Sequence, residues 1–180
     1  VSMNITDVKL TSLHAAFDAC LQSALLRGMR VTGSELVGLV PLQVMLDAGM
    51  HYLKKQGLSQ GVSDAELIHV AIKSMGLDEL GVFNPKKKII EYLLQEDSTS
   101  RLTGLTMSGF SEELAADSPA PGGGSAAAYA GALAASLGTM VANLSANKRG
   151  WEKRHDYFSA WAVKGQEGRK KLLHMVDEDT

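Results

Sequence analysis

Apolar positions along this chain recur at helical spacing in separate stretches, broken by a few punctuated segments. Leu13, Phe17, Cys20 and Ala24 repeat at helical intervals and predict a helix over 12–26. A second helix is expected to begin near Pro41, after a loop in which Gly33 and Gly38 flank Ser34-Glu35-Leu36-Val37. Ser63-Asp64-Ala65-Glu66 has the spacing of a capping box, and Asn84-Pro85 is a natural helix start. Val1 to Asn4 and Arg30 to Thr32 read as short strands on either side of the first helix. That order predicts an α+β first half: an incomplete strand–helix–strand layer plus helices, with too few strands to complete a sheet.

The stretch from Gln95 to Thr106 is polar and lacks periodicity, so a first part over 1–95, a linker over 96–106 and a second part over 107–180 are expected. The second part reads as an all-α helical bundle. Phe110 to Asp117 forms a short amphipathic pattern. Ser125 to Ala146 carries no charge. On a helical wheel Gly124, Ala128, Gly131, Ala135, Gly138 and Ala142 line one side, while Tyr129, Leu133, Leu137, Met140 and Leu144 line the other. The small side lets a neighbouring helix approach closely, and the bulky side is expected to fill a core. Its length would allow a membrane span. The dominance of Ala, Gly, Ser and Thr, with Asn143 inside, favours a buried bundle helix and no membrane. The last helix, from about Trp151, sets Trp151, Phe158, Ala162, Gly165, Leu172 and Val176 against Lys153, Lys164, Glu167, Lys171 and Glu178.

Composition narrows the class without naming a chemistry. The chain has 180 residues and net charge −2, which gives no electrostatic argument for nucleic acid. Cys20 is the one cysteine, so a disulfide framework is impossible and a reducing cytoplasm is the expectation. No spacing of metal ligands stands out. The chain opens on Val1 rather than Met and stops inside a predicted helix, so a piece of a longer protein is expected.

The candidate chemistry sits in the second part. Pro121-Gly122-Gly123-Gly124-Ser125 leads straight into the uncharged helix. Unshielded glycine N–H groups and the positive end of a helix offer donors to an anionic or carbonyl-bearing ligand. No lysine follows to make a phosphate loop, and a helix rather than a strand precedes the glycines, against a dinucleotide fold. Downstream stands Val176-Asp177-Glu178-Asp179. Residues two apart on a helix diverge, and the wheel places Asp179 closer to the apolar stripe, where a carboxylate suits proton transfer.

These motifs together resemble the formimidoyltransferase-cyclodeaminase family. The glycine loop, its helix and Val176-Asp177-x-Asp179 resemble the cyclodeaminase domain. Val1-Ser2-Met3-Asn4, the run from Val31 to Pro41, Gly76-Leu77-Asp78 and Ile89 to Leu93 resemble the end of the transferase region. The resemblance implies a folate enzyme of histidine breakdown. It would move a formimino group from formiminoglutamate to tetrahydrofolate, then close the ring to 5,10-methenyltetrahydrofolate with release of ammonia. It further implies folate contacts at Gly122, Gly123, Gly124 and Ser125, an acid–base aspartate at Asp179 or Asp177, no metal, and homo-oligomers joined through helical faces. The family's transferase histidine has no counterpart here, and neither catalytic site is expected to be complete. The alternative is a non-catalytic helical assembly or a folate-binding remnant.

Overall fold

The computed structural model describes residues 1–94, 102–117 and 119–178. Residues 96–101 of the expected linker, 96–106, therefore lie outside the described residues. The chain divides into two compact units, and the division does not follow the sequence order: the turn Leu58–Val62 belongs to the second unit although the segments on either side of it belong to the first.

The first unit is built from α1 (Leu13–Leu25), α2 (Leu42–Lys55), α3 (Asp64–Met75), α4 (Pro85–Lys88) and α5 (Ile90–Leu94). Three of these begin where side chains supply the caps. The Ser12 hydroxyl accepts from Ala15 N–H, Ser63 from Glu66 N–H, and Asn84 from Lys86 N–H. α2 has no such cap of its own; Glu91 of α5 supplies one, its carboxylate accepting from Leu42 N–H at 2.6 Å. The core is the α2–α3 contact. Met45, Ala48, Tyr52 and Leu53 pack there with Leu67, Ile68, Ala71, Ile72 and Met75, all buried. Each such large apolar side chain contributes roughly 1.5–3 kcal/mol on leaving water. Gly49 sets the separation, since a Cβ there would collide with the Leu67 backbone.

The α+β expectation for this half is overturned: it is helical, with no strand among the described residues. Val1–Asn4 and Arg30–Thr32 are irregular. Extended chain becomes a strand only when a neighbour completes its hydrogen-bond ladder. Here Ser34 N–H donates instead to Gly76 O at 3.0 Å and the Ser34 hydroxyl to Met75 O at 2.7 Å, docking the segment on the end of α3. Gly76 allows this by adopting a left-handed φ of 58° as the α3 C-cap. Among the described residues the one β feature is an isolated parallel bridge, Val40 with Ile89.

The second unit holds Leu58–Val62, α6 (Met107–Ala115), α7 (Gly123–Ala146) and α8 (His155–Glu178), with short 3₁₀ turns at Leu102–Gly104 and Glu152–Arg154. Ser125 meets Val176, Gly131 meets Leu172, and Thr139 meets Gly165, so α7 and α8 run antiparallel. Their seam is small-on-small: Ala128, Ala132, Thr139 and Ala142 against Ser159 and Ala162, all buried. Gly165 is required there, because a Cβ would strike the Thr139 hydroxyl. The bulky side of α7 does not fill a core as the wheel suggested. Leu133, Leu137 and Leu144 are 47%, 61% and 67% exposed, because α8 takes the face where backbones approach most closely. By length and composition α7 is the one described helix that could cross a membrane.

Candidate functional site

The glycine loop and the Val-Asp motif, far apart in sequence, meet at one end of the α7–α8 pair. Gly122 is the α7 N-cap, with extended backbone and no side chain capping the helix. The ladder begins with Ala126 N–H donating to Gly122 O at 3.1 Å, so the N–H groups of Gly123, Gly124 and Ser125 lie ahead of the first intrahelical bond. Gly123 and Gly124 are exposed and Gly122 partly so. A Cβ at Gly122 or Gly123 would touch no atom of the described residues within 4 Å. Neither glycine has a positive φ. Packing and backbone strain within this chain therefore do not call for glycine at these two positions.

Ser125 behaves differently from the glycines. It is fully buried and its hydroxyl donates to Val176 O at 2.9 Å, pinning the start of α7 to the last turn of α8. Val176 is itself 1% exposed. The next residue, Asp177, is half-buried, and its two carboxylate oxygens accept from Thr103 N–H at 3.1 Å and from the Thr103 hydroxyl at 2.6 Å. The 3₁₀ turn Leu102–Gly104 thus docks on α8 through Asp177. Asp179 lies outside the described residues. Tyr129, nearly two turns into α7, stacks obliquely on Phe110 of α6 with centroids 5.3 Å apart. Thr103 was not a sequence candidate: it lies 74 residues from Asp177, and no local pattern links them.

A second polar cluster lies in the first unit, between α1 and α2. The Asp18 carboxylate accepts from Tyr52 OH at 3.1 Å and from Lys55 Nζ at 3.0 Å, and lies 3.0 Å from His51 Nε2. Burial alone would push the Asp18 carboxyl up, but the hydrogen bonds from His51, Lys55 and Tyr52 together hold it below the usual carboxylate range. Burial, then the charge and hydrogen bond of Asp18, pushes the Tyr52 phenol well up. His14 stacks on His51 at 4.4 Å, and its buried Nδ1 has no hydrogen-bond partner among the described residues. Burial and then the neighbouring His51 draw the His14 imidazole down, against weaker pulls from Asp47 and Asp18. Cys20, unpaired and half-buried on α1, has no part in these bonds. His51 reaches Asp18 from the next helix, 33 residues further along the chain, a separation that no local pattern displays. Among the described residues no three His, Cys, Asp or Glu side chains gather as a metal-ligand group.

Comparison with known proteins divides the chain at nearly the same place as its polar stretch. The Formiminotransferase domain family matches residues 1–95 and the Formiminotransferase-cyclodeaminase family matches residues 106–180. A Dictyostelium discoideum protein named Formimidoyltransferase-cyclodeaminase is 40% identical over 154 residues, which is 84% of this chain and 28% of that protein. A Gallus gallus protein of the same name is 37% identical over the whole chain, covering 33% of its own length. A Thermoplasma acidophilum protein named Glutamate formimidoyltransferase is 34% identical over 61 residues, 34% of this chain and 20% of that protein. The chain thus spans about a third of the length of the bifunctional relatives it matches. Motifs from both halves occur here in one order along a single chain, which belongs to the formiminotransferase-cyclodeaminase family.

Proposed function

We propose that this chain is part of a cytoplasmic, folate-dependent enzyme of histidine degradation. The enzyme transfers a formimino group from formiminoglutamate to tetrahydrofolate and then cyclodeaminates the product to 5,10-methenyltetrahydrofolate, releasing ammonia. Family membership supports the pair of reactions. The observation that carries a site for the second is the bond from Ser125 to Val176, which brings the N–H groups of Gly123 and Gly124, ahead of the first intrahelical bond, to the end of α8 that bears Asp177.

In cyclodeamination N10 of the folate adds to the formimino carbon, and the carbon–nitrogen bond to the departing amine breaks as that nitrogen is protonated. Two tasks follow for this chain. Open backbone donors at an α-helix N-terminus suit a carbonyl or carboxylate of the folate, and the free space over Gly122 and Gly123 lets a ligand approach the backbone closely. A carboxylate must hand a proton to the leaving nitrogen. Asp177 already accepts two hydrogen bonds from Thr103, which suits a positioning part. Asp179, nearer the apolar stripe by the wheel, is the preferred acid.

The test is to replace Asp177 and Asp179 separately with Asn in the full-length protein and follow ammonia release. The Asp179→Asn change is expected to cost at least about a hundredfold in turnover, and the Asp177→Asn change less. Equal losses would sink the preference for Asp179, and full activity in both would sink the site.

A second reading rests on the exposed bulky face of α7, where Leu133, Leu137, Met140, Val141 and Leu144 are each about half exposed or more. A contiguous apolar face of this kind suits assembly. We assign it to homo-oligomer formation, which is compatible with the catalytic reading and would persist in a non-catalytic remnant.

A further inference from the structure

We propose that the turn Leu58–Val62 is a built-in key for the α7–α8 pair, so that the cyclodeaminase helices are completed by a piece of the transferase region. The turn falls inside the stretch matched by the formiminotransferase family, yet it is part of the second unit. Its polar groups are read one by one. The Ser59 hydroxyl donates to Asn143 Oδ1 at 2.6 Å, and Asn143 Nδ2 donates to Gly61 O at 2.8 Å. Gln166 Nε2 of α8 donates to the same carbonyl at 3.3 Å, and Gln60 N–H donates to the Ser159 hydroxyl at 3.1 Å. Ser59 is 2% exposed.

Shape adds to the hydrogen bonds. A Cβ at Gly61 would collide with Ala162, the fully buried alanine at the centre of the α8 face. The surface therefore fits a turn with a small hydroxyl residue followed two positions later by glycine, and Ser59 and Gly61 meet both demands. The same arrangement explains Asn143, the amide set within an otherwise uncharged helix. An amide carries donor and acceptor together, and here one side chain satisfies a hydroxyl and a carbonyl of the same turn. Buried polar groups matched this way cost stability when one partner is removed, because the other is left without water or protein.

Hydrogen exchange on the whole chain tests the proposal. In the Gly61→Val variant, and in the milder Ser59→Ala variant, amides in 139–147 and 159–166 are expected to exchange roughly tenfold faster or more. Amides of α2 and α3 should keep their protection. The larger variant should show the larger effect, and Asn143→Ala should reproduce the Ser59→Ala pattern. Unchanged exchange in α7 and α8 would overturn the proposal. So would an equal loss in all helices from Ser59→Ala, which would make the turn a general stability element rather than a key for this pair.

Discussion

The buried Ser125 hydroxyl donates to the Val176 carbonyl at 2.9 Å, joining the first turn of α7 to the last turn of α8. The bond satisfies one of the carbonyls that a helix end leaves without an intrahelical partner. It also fixes the register in which the glycine-bearing start of α7 lies beside the last turn of α8. Replacing Ser125 with Ala is expected to lower stability by about 1 kcal/mol, the net worth of one such bond. A urea titration should show a lower midpoint with an unchanged slope. An unchanged midpoint would mean the hydroxyl contributes nothing to the pairing.

Two glycines should respond to the same substitution with opposite signs. Gly49→Ala forces a methyl into the Leu67 backbone and must push α2 from α3, at a cost of about 3 kcal/mol. Gly138 is exposed in mid-helix with open space around it, so Gly138→Ala should stabilise by up to about 1 kcal/mol through helix propensity. Thermal melts of the two variants check this. A destabilising Gly138→Ala would show that the α7 surface is covered by something this chain does not supply.

Acidification should loosen α1. His14 is drawn below its ordinary 6.5 and Asp18 below its ordinary 3.8, so in both cases the folded state prefers the unprotonated form. Stability from His14 is thus complete above about 6.5 and is lost as pH falls through its lowered folded value. Stability from Asp18 is lost at lower pH still. The groups facing His14 are His51, Asp47 and Asp18, with Tyr52 and Lys55 on the far side of the Asp18 carboxylate. Exchange protection in α1 relative to α2 should fall as pH drops below about 6.5, and His14→Phe should flatten that dependence. A profile that stays steep in the His14 variant would assign the effect elsewhere.

The exposed leucines of α7 predict a change in association without a change in fold. Leu137, 61% exposed, makes its apolar surface available to a second copy. Leu137→Glu should shift the mass measured by light scattering toward the monomer while leaving the melting temperature within a few degrees. A variant that assembles like the parent would remove this face from the interface.

Local chemistry made much of the helix pattern legible. Ser63 and Asn84 cap their helices where the capping signals stood, and the first helix, expected over 12–26, is α1 at Leu13–Leu25. These features depend on neighbours a few residues apart, and sequence displays such neighbours directly. Val1–Asn4 and Arg30–Thr32 show the limit. Their residues suit extended chain, but a strand is a relation between segments, and the segment at Ser34 found its partner in the end of α3. The faces of α7 show it again: the wheel assigned burial to both sides, whereas the leucines of the bulky side are exposed, Gly124 and Gly138 of the small side are exposed too, and the buried face runs through Ser125, Ala128, Ala132, Thr139 and Ala142.

The candidate site divides along the same line. The sequence by itself determined that a glycine-started helix and a Val-Asp-x-Asp motif exist, and their combination pointed to the family. Only the tertiary structure decided that Ser125 bonds the residue before Asp177, that Thr103 holds Asp177, and that a turn from the first half keys the helices of the second. The reason is physical. Caps, glycine freedom and amphipathic spacing act over one or two turns of chain, while the contacts at 51, 74 and 84 residues' separation depend on which helix faces close together and on what is left in reach once they have.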